Sequence, residues 1–481
     1  MNWLILWLGI YLILLLLLTL RHSGRTGMGS YLLNNRNTGP LPLVATTLAT
    51  FVGGGTSIGL MAMGYESGFA AVGIGVAYVI GFFILARFAP RINRLGRNRS
   101  IFSFPQFLNE SYLSDAGESM KRWFSATVSG INIFIFFFLL SAQFVGMAAL
   151  LRHFFEVSFL WAALISAAVV IVYTTVSGFR GVLITDMVQF MMIVVMILVI
   201  FLPGVITDTG GLTRLRELPP GFLNGTFYGW PFLVALPLFL APSVLIRMDL
   251  WQRILAARDE KTARRVSIWS GLGMLPFYII FPLVGMAVQL NGTLAEPKYV
   301  TWIFLEKHST PFMLGFAVAG LLSALMSSGD SFLNLIAISA VRDFSGFRKG
   351  KESSAKNAGQ QFKIRIATLL FGITALFLAL LLPRIVDLMV VGIATIVIFV
   401  PATFFALTAE NPSNFTRAAF FSIVSGFTVN LFFFVLGTLS PESFEPKSSF
   451  IPAFLTSLIV MIVMVKNRKN RIGRREIREP V

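Results

Sequence analysis

The sequence predicts an all-α integral membrane protein with about thirteen spanning helices. Three observations predict it. Of the 481 residues, 56% are hydrophobic and only 13% are charged, whereas a soluble domain carries about 25% charged residues. Apolar runs of about 20 residues, the length that crosses the hydrocarbon core, recur along the whole chain. Lys and Arg produce a net charge of +17, and they collect between alternate pairs of those runs, as they do on the cytoplasmic side of a membrane.

Taken in order, the first run, α1, covers 2–20. It has neither the basic start nor the small-residue cleavage site of a secretory leader, so it reads as a span. Five runs follow: α2 at 40–62, α3 at 67–90, α4 at 123–151, α5 at 157–177 and α6 at 181–203. A second five are α7 at 227–246, α8 at 266–290, α9 at 311–341, α10 at 364–383 and α11 at 385–408. Two more, α12 at 417–439 and α13 at 449–465, precede a basic tail at 466–481. The expected organisation is one transmembrane domain with repeats at 40–203 and 227–408 and a C-terminal pair at 417–465. With the N-terminus outside and the C-terminus cytoplasmic, 32 of the 39 basic residues lie inside. The seven outside are Arg152, Arg214, Arg216, Lys298, Lys307, Arg384 and Lys447. One mistaken span would exchange every later loop and blur this contrast.

Several classes of function are disfavoured at once. There is no cysteine, hence no thiolate chemistry or cysteine metal site. His22, His153 and His308 sit near span ends and read as surface residues. No nucleophile–base pair is visible within the membrane, so no enzyme is expected. The positive charge belongs to topology, so nucleic acid is not an expected partner. Lipid and a small solute are the expected partners, and no partner protein is required. A plasma membrane, as in a bacterial inner membrane, is the expected location.

Two spans are interrupted in matching places. Within α2 the chain reads Ala49-Thr50-Phe51-Val52-Gly53-Gly54-Gly55-Thr56-Ser57. Each glycine is weaker than alanine in a helix by about 1 kcal/mol, and unwound backbone inside a bilayer survives only in protein or along a cavity. A close-packing glycine face, with Gly55 and Gly59 as a small-xxx-small pair, is the alternative. In α7, Pro237 and Pro242 each remove a backbone donor. Both spans are first in their group of five. Matching interruptions in two halves point to a transporter site, and an odd number of spans inverts the second half.

Polar groups inside the spans give the chemistry. In α9, Ser323, Ser327, Ser328, Asp330 and Ser331 are close together, and such groups are costly in hydrocarbon unless they function. Hydroxyls and carbonyl oxygens suit a hard cation such as Na+. Serines bonding back to their own helix are the alternative. Asp186 lies more than a turn inside α6, where it can meet a cation, a proton or Arg180. Glu66 and Asp387 fall at span ends, and Asn132, Gln143 and Tyr78 are polar groups within spans.

These stretches together resemble the sodium:solute symporter family. Ala49 to Gly68 carries its glycine-rich break. Gly178 to Gln189 resembles its Gly-Gly-x-x-x-x-x-Thr-Asp-x-x-Gln. Trp251 to Arg258 resembles its Gln-Arg-x-x-Ala-Ala-Lys, and Ala324 to Leu333 its Ala-x-Met-Ser-Thr-x-Asp-Ser-x-Leu. The resemblance runs from α2 to α11. It implies a LeuT-type 5+5 inverted repeat with one extra N-terminal and two extra C-terminal helices. It implies Na+ as coupling ion and sodium-coupled symport of a small organic solute by alternating access. The main sodium site would use carbonyls of Ala49, Val52 and Ala324 and hydroxyls of Ser327 and Ser328. A second cation or proton site would use Asp186, Ser327, Asp330 and Ser331, with Asp330 replacing a serine. Arg247 and Met248 depart from the family's Asp-Gln, and Ser103-Phe104-Pro105-Gln106 lacks its Glu. Expected solute contacts near the breaks are Thr56, Ser57, Tyr78, Gln143 and Ser243. Proton-coupled symport by the same fold, and a transporter-like sensor or channel, are the alternatives.

Overall fold

In the computed structural model, described for residues 2–22, 27–292, 296–344, 354–440, 442, 444 and 446–476, the chain is all-helical. Arg25, Arg348, Lys349, Lys351 and Arg478 of the charge reading lie outside the described residues, as does the end of the 466–481 tail.

Among the described residues, eleven helices are long and apolar enough to cross a membrane, and counting each of two bent helix pairs as one span brings the number to thirteen. The unbent spans are α1 (Trp3–Arg21), α3 (Ala70–Asn98), α4 (Glu118–Phe155), α5 (Phe159–Val176), α6 (Gly178–Asp208), α8 (Glu260–Leu290), α9 (Pro311–Asp343), α10 (Gly359–Leu381), α11 (Ile385–Thr408), α12 (Pro412–Leu439) and α13 (Phe450–Asn470). The bent spans are α2, with halves α2a (Pro40–Phe51) and α2b (Gly55–Ser67) at 59°, and α7, with halves α7a (Trp230–Val244) and α7b (Met248–Ala256) at 47°.

The thirteen expected spans thus occur in the expected order, with the largest displacements at α3, which runs on to Asn98, eight residues beyond the expected 90, and at α7. The α7 span runs on to Ala256, ten residues beyond the expected 246. The helix continues through Pro237 and Pro242 and breaks only after Val244. Each proline removes a single donor, which a helix held by neighbours absorbs as a bend. Consequently Arg247 and Arg253, counted with the cytoplasmic charge, are buried inside the span. The Ser103–Leu108 stretch forms a short helix, Phe104–Tyr112, capped by the Ser103 hydroxyl.

The packing repeats with an offset of five. Spans α2, α3, α7 and α8 pack on one another, chiefly through α3 with α8, α3 with α7a, and α8 with both halves of α2. On the other side α4 and α9 pack together, and both touch α10 and the continuous stretch Phe159–Met196 that joins α5 to α6. The turn between α5 and α6 is Gly178, at φ +59°, where a side chain would strike the Tyr31 ring. Small residues set the closest approach: a Cβ on Gly285 of α8 would lie 2.8 Å from the backbone of Gly64 in α2b. The spans α12 and α13 pair with each other, and α1 lies against α9 and the α5–α6 stretch. Apolar residues such as Ile5, Leu17, Phe377 and Phe432 face outward, as a lipid-facing surface requires. Trp123, Trp161 and Trp230 stand exposed at the starts of α4, α5 and α7, where an aromatic belt meets the interface.

Candidate ion and solute site at the helix breaks

The α2 break exposes oxygens. The last helical residue of α2a is Phe51, and Val52 leaves the helix at φ −81°, ψ 22°. Among the described residues, no backbone N–H is donated to the carbonyls of Ala49, Phe51 or Val52. A helix end leaves such carbonyls free by construction, and inside a membrane they need another partner. The Gln143 side chain of α4 holds the break by accepting from the Gly54 N–H at 2.9 Å. The Ser328 hydroxyl of α9 donates to the Thr50 carbonyl at 2.7 Å and lies 3.3 Å from the Ala324 carbonyl. Only glycine fits at position 53, since a Cβ there would lie 2.8 Å from Gln143 Oε1 and 2.9 Å from Ser328 Cβ. The freed end of α2a, Ala324 and Ser328 therefore meet at one junction. Carbonyl and hydroxyl oxygens of this kind fit a weakly held hard cation.

Ser327 faces differently. Its hydroxyl donates to Asp186 Oδ1 at 2.5 Å, and the Thr46 hydroxyl donates to Asp186 Oδ2. The partner of Asp186 is Arg253 of α7b, at 3.8 Å, with both side chains sealed from solvent. Arg180, the partner weighed from sequence, is exposed. The Arg253 NH2 group reaches Thr50 Oγ1 at 2.7 Å, Ser331 Oγ at 2.9 Å and Thr46 Oγ1 at 3.2 Å. Its NH1 donates to the Asp249 carbonyl at 3.0 Å. A guanidinium thus lies among Asp186, Thr50 and Ser331. Asp330 accepts from the Tyr173 hydroxyl at 2.8 Å, and its other oxygen is enclosed without a partner among the described residues. Close by, Gln189 donates to the Tyr11 hydroxyl of α1 at 2.8 Å.

Of the expected solute contacts, Ser57 donates to the Gly53 carbonyl at 3.0 Å and Ser243 to the Leu240 carbonyl at 2.6 Å, each within its own span. Gln143 is engaged at the break. Thr56 remains partly exposed. Tyr78 stacks on Tyr278 with centroids 5.9 Å apart and meets the edge of Phe51.

Sequence reasoning gave no role to Thr46, Thr50, Tyr173, Arg247 or Arg253. One signal was present: Thr46 and Thr50 are spaced i, i+4, like Ser327 and Ser331, so each pair shares a helix face. Thr46, Thr50 and Ser331 turn out to face one guanidinium, and Ser327 faces the Asp186 beside it.

Below the site, backbone pairing ties the start of α2 to the end of α7b. The Thr38 N–H donates to the Ala256 carbonyl, and the Arg258 N–H to the Thr38 carbonyl. Asn93 and Arg97 of α3 donate to the Ala257 carbonyl at 3.0 and 2.9 Å. Arg36, in the loop before α2, is pushed down to about 10, first by burial and then by Arg97 and Arg342.

The model described as the sodium:solute symporter family matches residues 31–219. A sodium/proline symporter of Staphylococcus aureus is 27% identical over 399 residues, covering 77% of this chain and 74% of that one. Sodium/proline symporter 2 of Staphylococcus saprophyticus is 26% identical over 374 residues, covering 73% and 70%. Among solved structures, a substrate-bound, outward-open Na+-coupled sialic acid symporter superposes with a TM-score of 0.75 at 16% identity, over 96% of this chain and 97% of that one. Mhp1, a nucleobase-cation-symport-1 family transporter, gives 0.55 at 14% identity, over 92% and 95%. The family resemblance drawn from the motifs is borne out, and the fold is the LeuT type.

Proposed function

We propose that this chain, a relative of the sodium:solute symporters, is a secondary active transporter that couples Na+ entry to uptake of a small organic solute by alternating access. The observation that carries the reading is the junction of Ser328 with the opened end of α2a, where three carbonyls lack backbone donors among the described residues. One Na+ binds there, held by carbonyls of Ala49, Val52 and Ala324 and by the Ser328 hydroxyl, with Ser327 completing the shell when it turns from Asp186. The ion ties α2 to α9, which belong to different packing groups, so its binding favours one arrangement of the two. The membrane potential contributes about 2.3 kcal/mol per charge per 100 mV.

At the second-cation positions the chain supplies its own positive charge. Arg253 stands among Asp186, Thr50 and Ser331, which supports a coupling of one Na+ per solute. The halves of the transporter are 40–203 and 227–408, with the N-terminus outside and the C-terminus in the cytoplasm of a bacterium.

The solute is tested first with L-proline, on the strength of the two curated relatives. Uptake into cells or proteoliposomes in sodium, lithium and choline buffers checks the coupling. Uptake that persists in choline and collapses with the pH gradient sinks the sodium reading. In Ser328→Ala the sodium needed for half-maximal uptake rises about tenfold, as expected for a lost ligand of about 1.4 kcal/mol.

A further inference from the structure

The α7 break is built around a charge. Arg247 is the last residue before α7b, and its guanidinium carbon lies over the Phe51 ring, 3.9 Å from the centroid. Phe51 is the last residue of α2a, so the stack joins one helix break to the other. Arg247 is also where the chain departs from the pattern it otherwise resembles.

The guanidinium is used on one side only. Its Nε and NH2 donate to the two oxygens of Asp249 at 3.0 and 2.7 Å, a bidentate pair that fixes its orientation. Its NH1 makes no hydrogen bond among the described residues. Arg247 keeps 8% of its surface exposed, whereas Asp249 and Arg253 keep 1% each. Around it stand Phe51, Tyr78 and the stacked Tyr278, whose hydroxyl is enclosed beside the Thr56 side chain.

A half-used guanidinium inside a membrane span is costly, and Arg247 is the more exposed of the two arginines in α7. A clamp that only fixed the break would need no free edge. The planar fork matches a carboxylate better than a hydroxyl, and the aromatic walls suit a compact, partly apolar solute body.

We propose that Arg247, held by Asp249 and Phe51, is the specificity-determining residue of the solute site, and that it receives the carboxylate of a small organic acid or amino acid. This rests on the transporter reading above and deepens it. Tyr278 and Tyr78 flank the same solute, with the Tyr278 hydroxyl as a second donor. The Na+ junction lies at Ser328 and the opened end of α2a, so ion and carboxylate are recognised by different helix breaks.

The test is thermal stabilisation of the purified full-length protein by matched solutes, in sodium and in choline. The probes are L-proline and L-prolinamide, glycine and glycinamide, N-acetylneuraminic acid and its methyl ester, and D-galactose. At least one acid stabilises the protein, and its amide or ester binds about 10- to 100-fold more weakly, the range expected for a charged hydrogen bond. In Arg247→Gln that preference falls to near unity, and in Arg247→Lys, which keeps the charge without the fork, it is intermediate. A purely structural clamp would weaken acid and amide alike and leave their ratio unchanged. The proposal is overturned by an amide, ester or galactose that binds as well as the acids, by an unchanged ratio in Arg247→Gln, or by failure of every acid to stabilise. Stabilisation by sodium without solute is scored separately. Its absence sinks the sodium reading and leaves the acid-to-amide ratio, measured in choline, as an independent result.

Discussion

The two broken spans occupy equivalent places in the inverted repeat, yet their breaks are made of opposite chemistry. In α2 the break is backbone: glycines let the chain leave the helix, and carbonyl oxygens at Ala49, Phe51 and Val52 are left without backbone donors among the described residues. In α7 the break is side chain: Arg247 and Asp249 grip one another across the bend, and Trp251 Nε1 donates to the Leu245 carbonyl at 2.7 Å. One break presents negative ends of dipoles and the other presents a guanidinium. On the readings proposed above, the same topology seats a cation at one break and an anionic group at the other, and Arg247 over the Phe51 ring links the two breaks.

The comparison breaks most sharply at Asp249. Removing one partner of a buried ion pair typically costs about 3–5 kcal/mol. Asp249→Asn is expected to lower thermal stability by that amount, and recovery by the double change with Arg247→Gln would show that the unpaired charge is the cause. At the other break, Gly53→Val adds atoms where Gln143 and Ser328 leave no room. Overpacking costs about 1–3 kcal/mol, and sodium-dependent stabilisation is expected to be lost with it. An unchanged sodium response in a folded Gly53→Val protein contradicts the junction. The smallest effect belongs to Pro237→Ala. The helix already runs through Pro237, so restoring one donor is expected to change stability by less than about 1 kcal/mol. Sodium and solute dependence in that variant are expected to match wild type. A large loss would return the functional break to the prolines.

The same contrast shows what the sequence could convey. The α2 break was legible because three consecutive glycines are a local property with a local consequence. That α7 is interrupted was legible from its prolines, but the place of the break was not, because the pairing of Arg247 with Asp249 depends on a bend that forms only in the bundle. The span count and order were legible because apolar length and basic loops report directly on the bilayer. The surroundings of Asp186 were half legible. Ser327 and Ser331 declared themselves by spacing, but Arg253 is 67 residues away in sequence, and nothing local prefers it to Arg180. Its proximity follows from α7b continuing inward past residue 246, so a misplaced helix end concealed the ion pair. The hydroxyls of Ser327 and Ser328, adjacent in sequence, face Asp186 and Thr50 respectively.

The most direct test of this division of labour is binding of radiolabelled sodium to the purified protein with no solute present, compared between Ser328→Ala and Arg247→Gln. Wild type and Arg247→Gln are expected to saturate at the same sodium concentration, whereas Ser328→Ala requires about tenfold more, equivalent to about 1.4 kcal/mol. Sodium binding unchanged in Ser328→Ala, or lost in Arg247→Gln, would contradict the assignment of cation and solute to separate breaks.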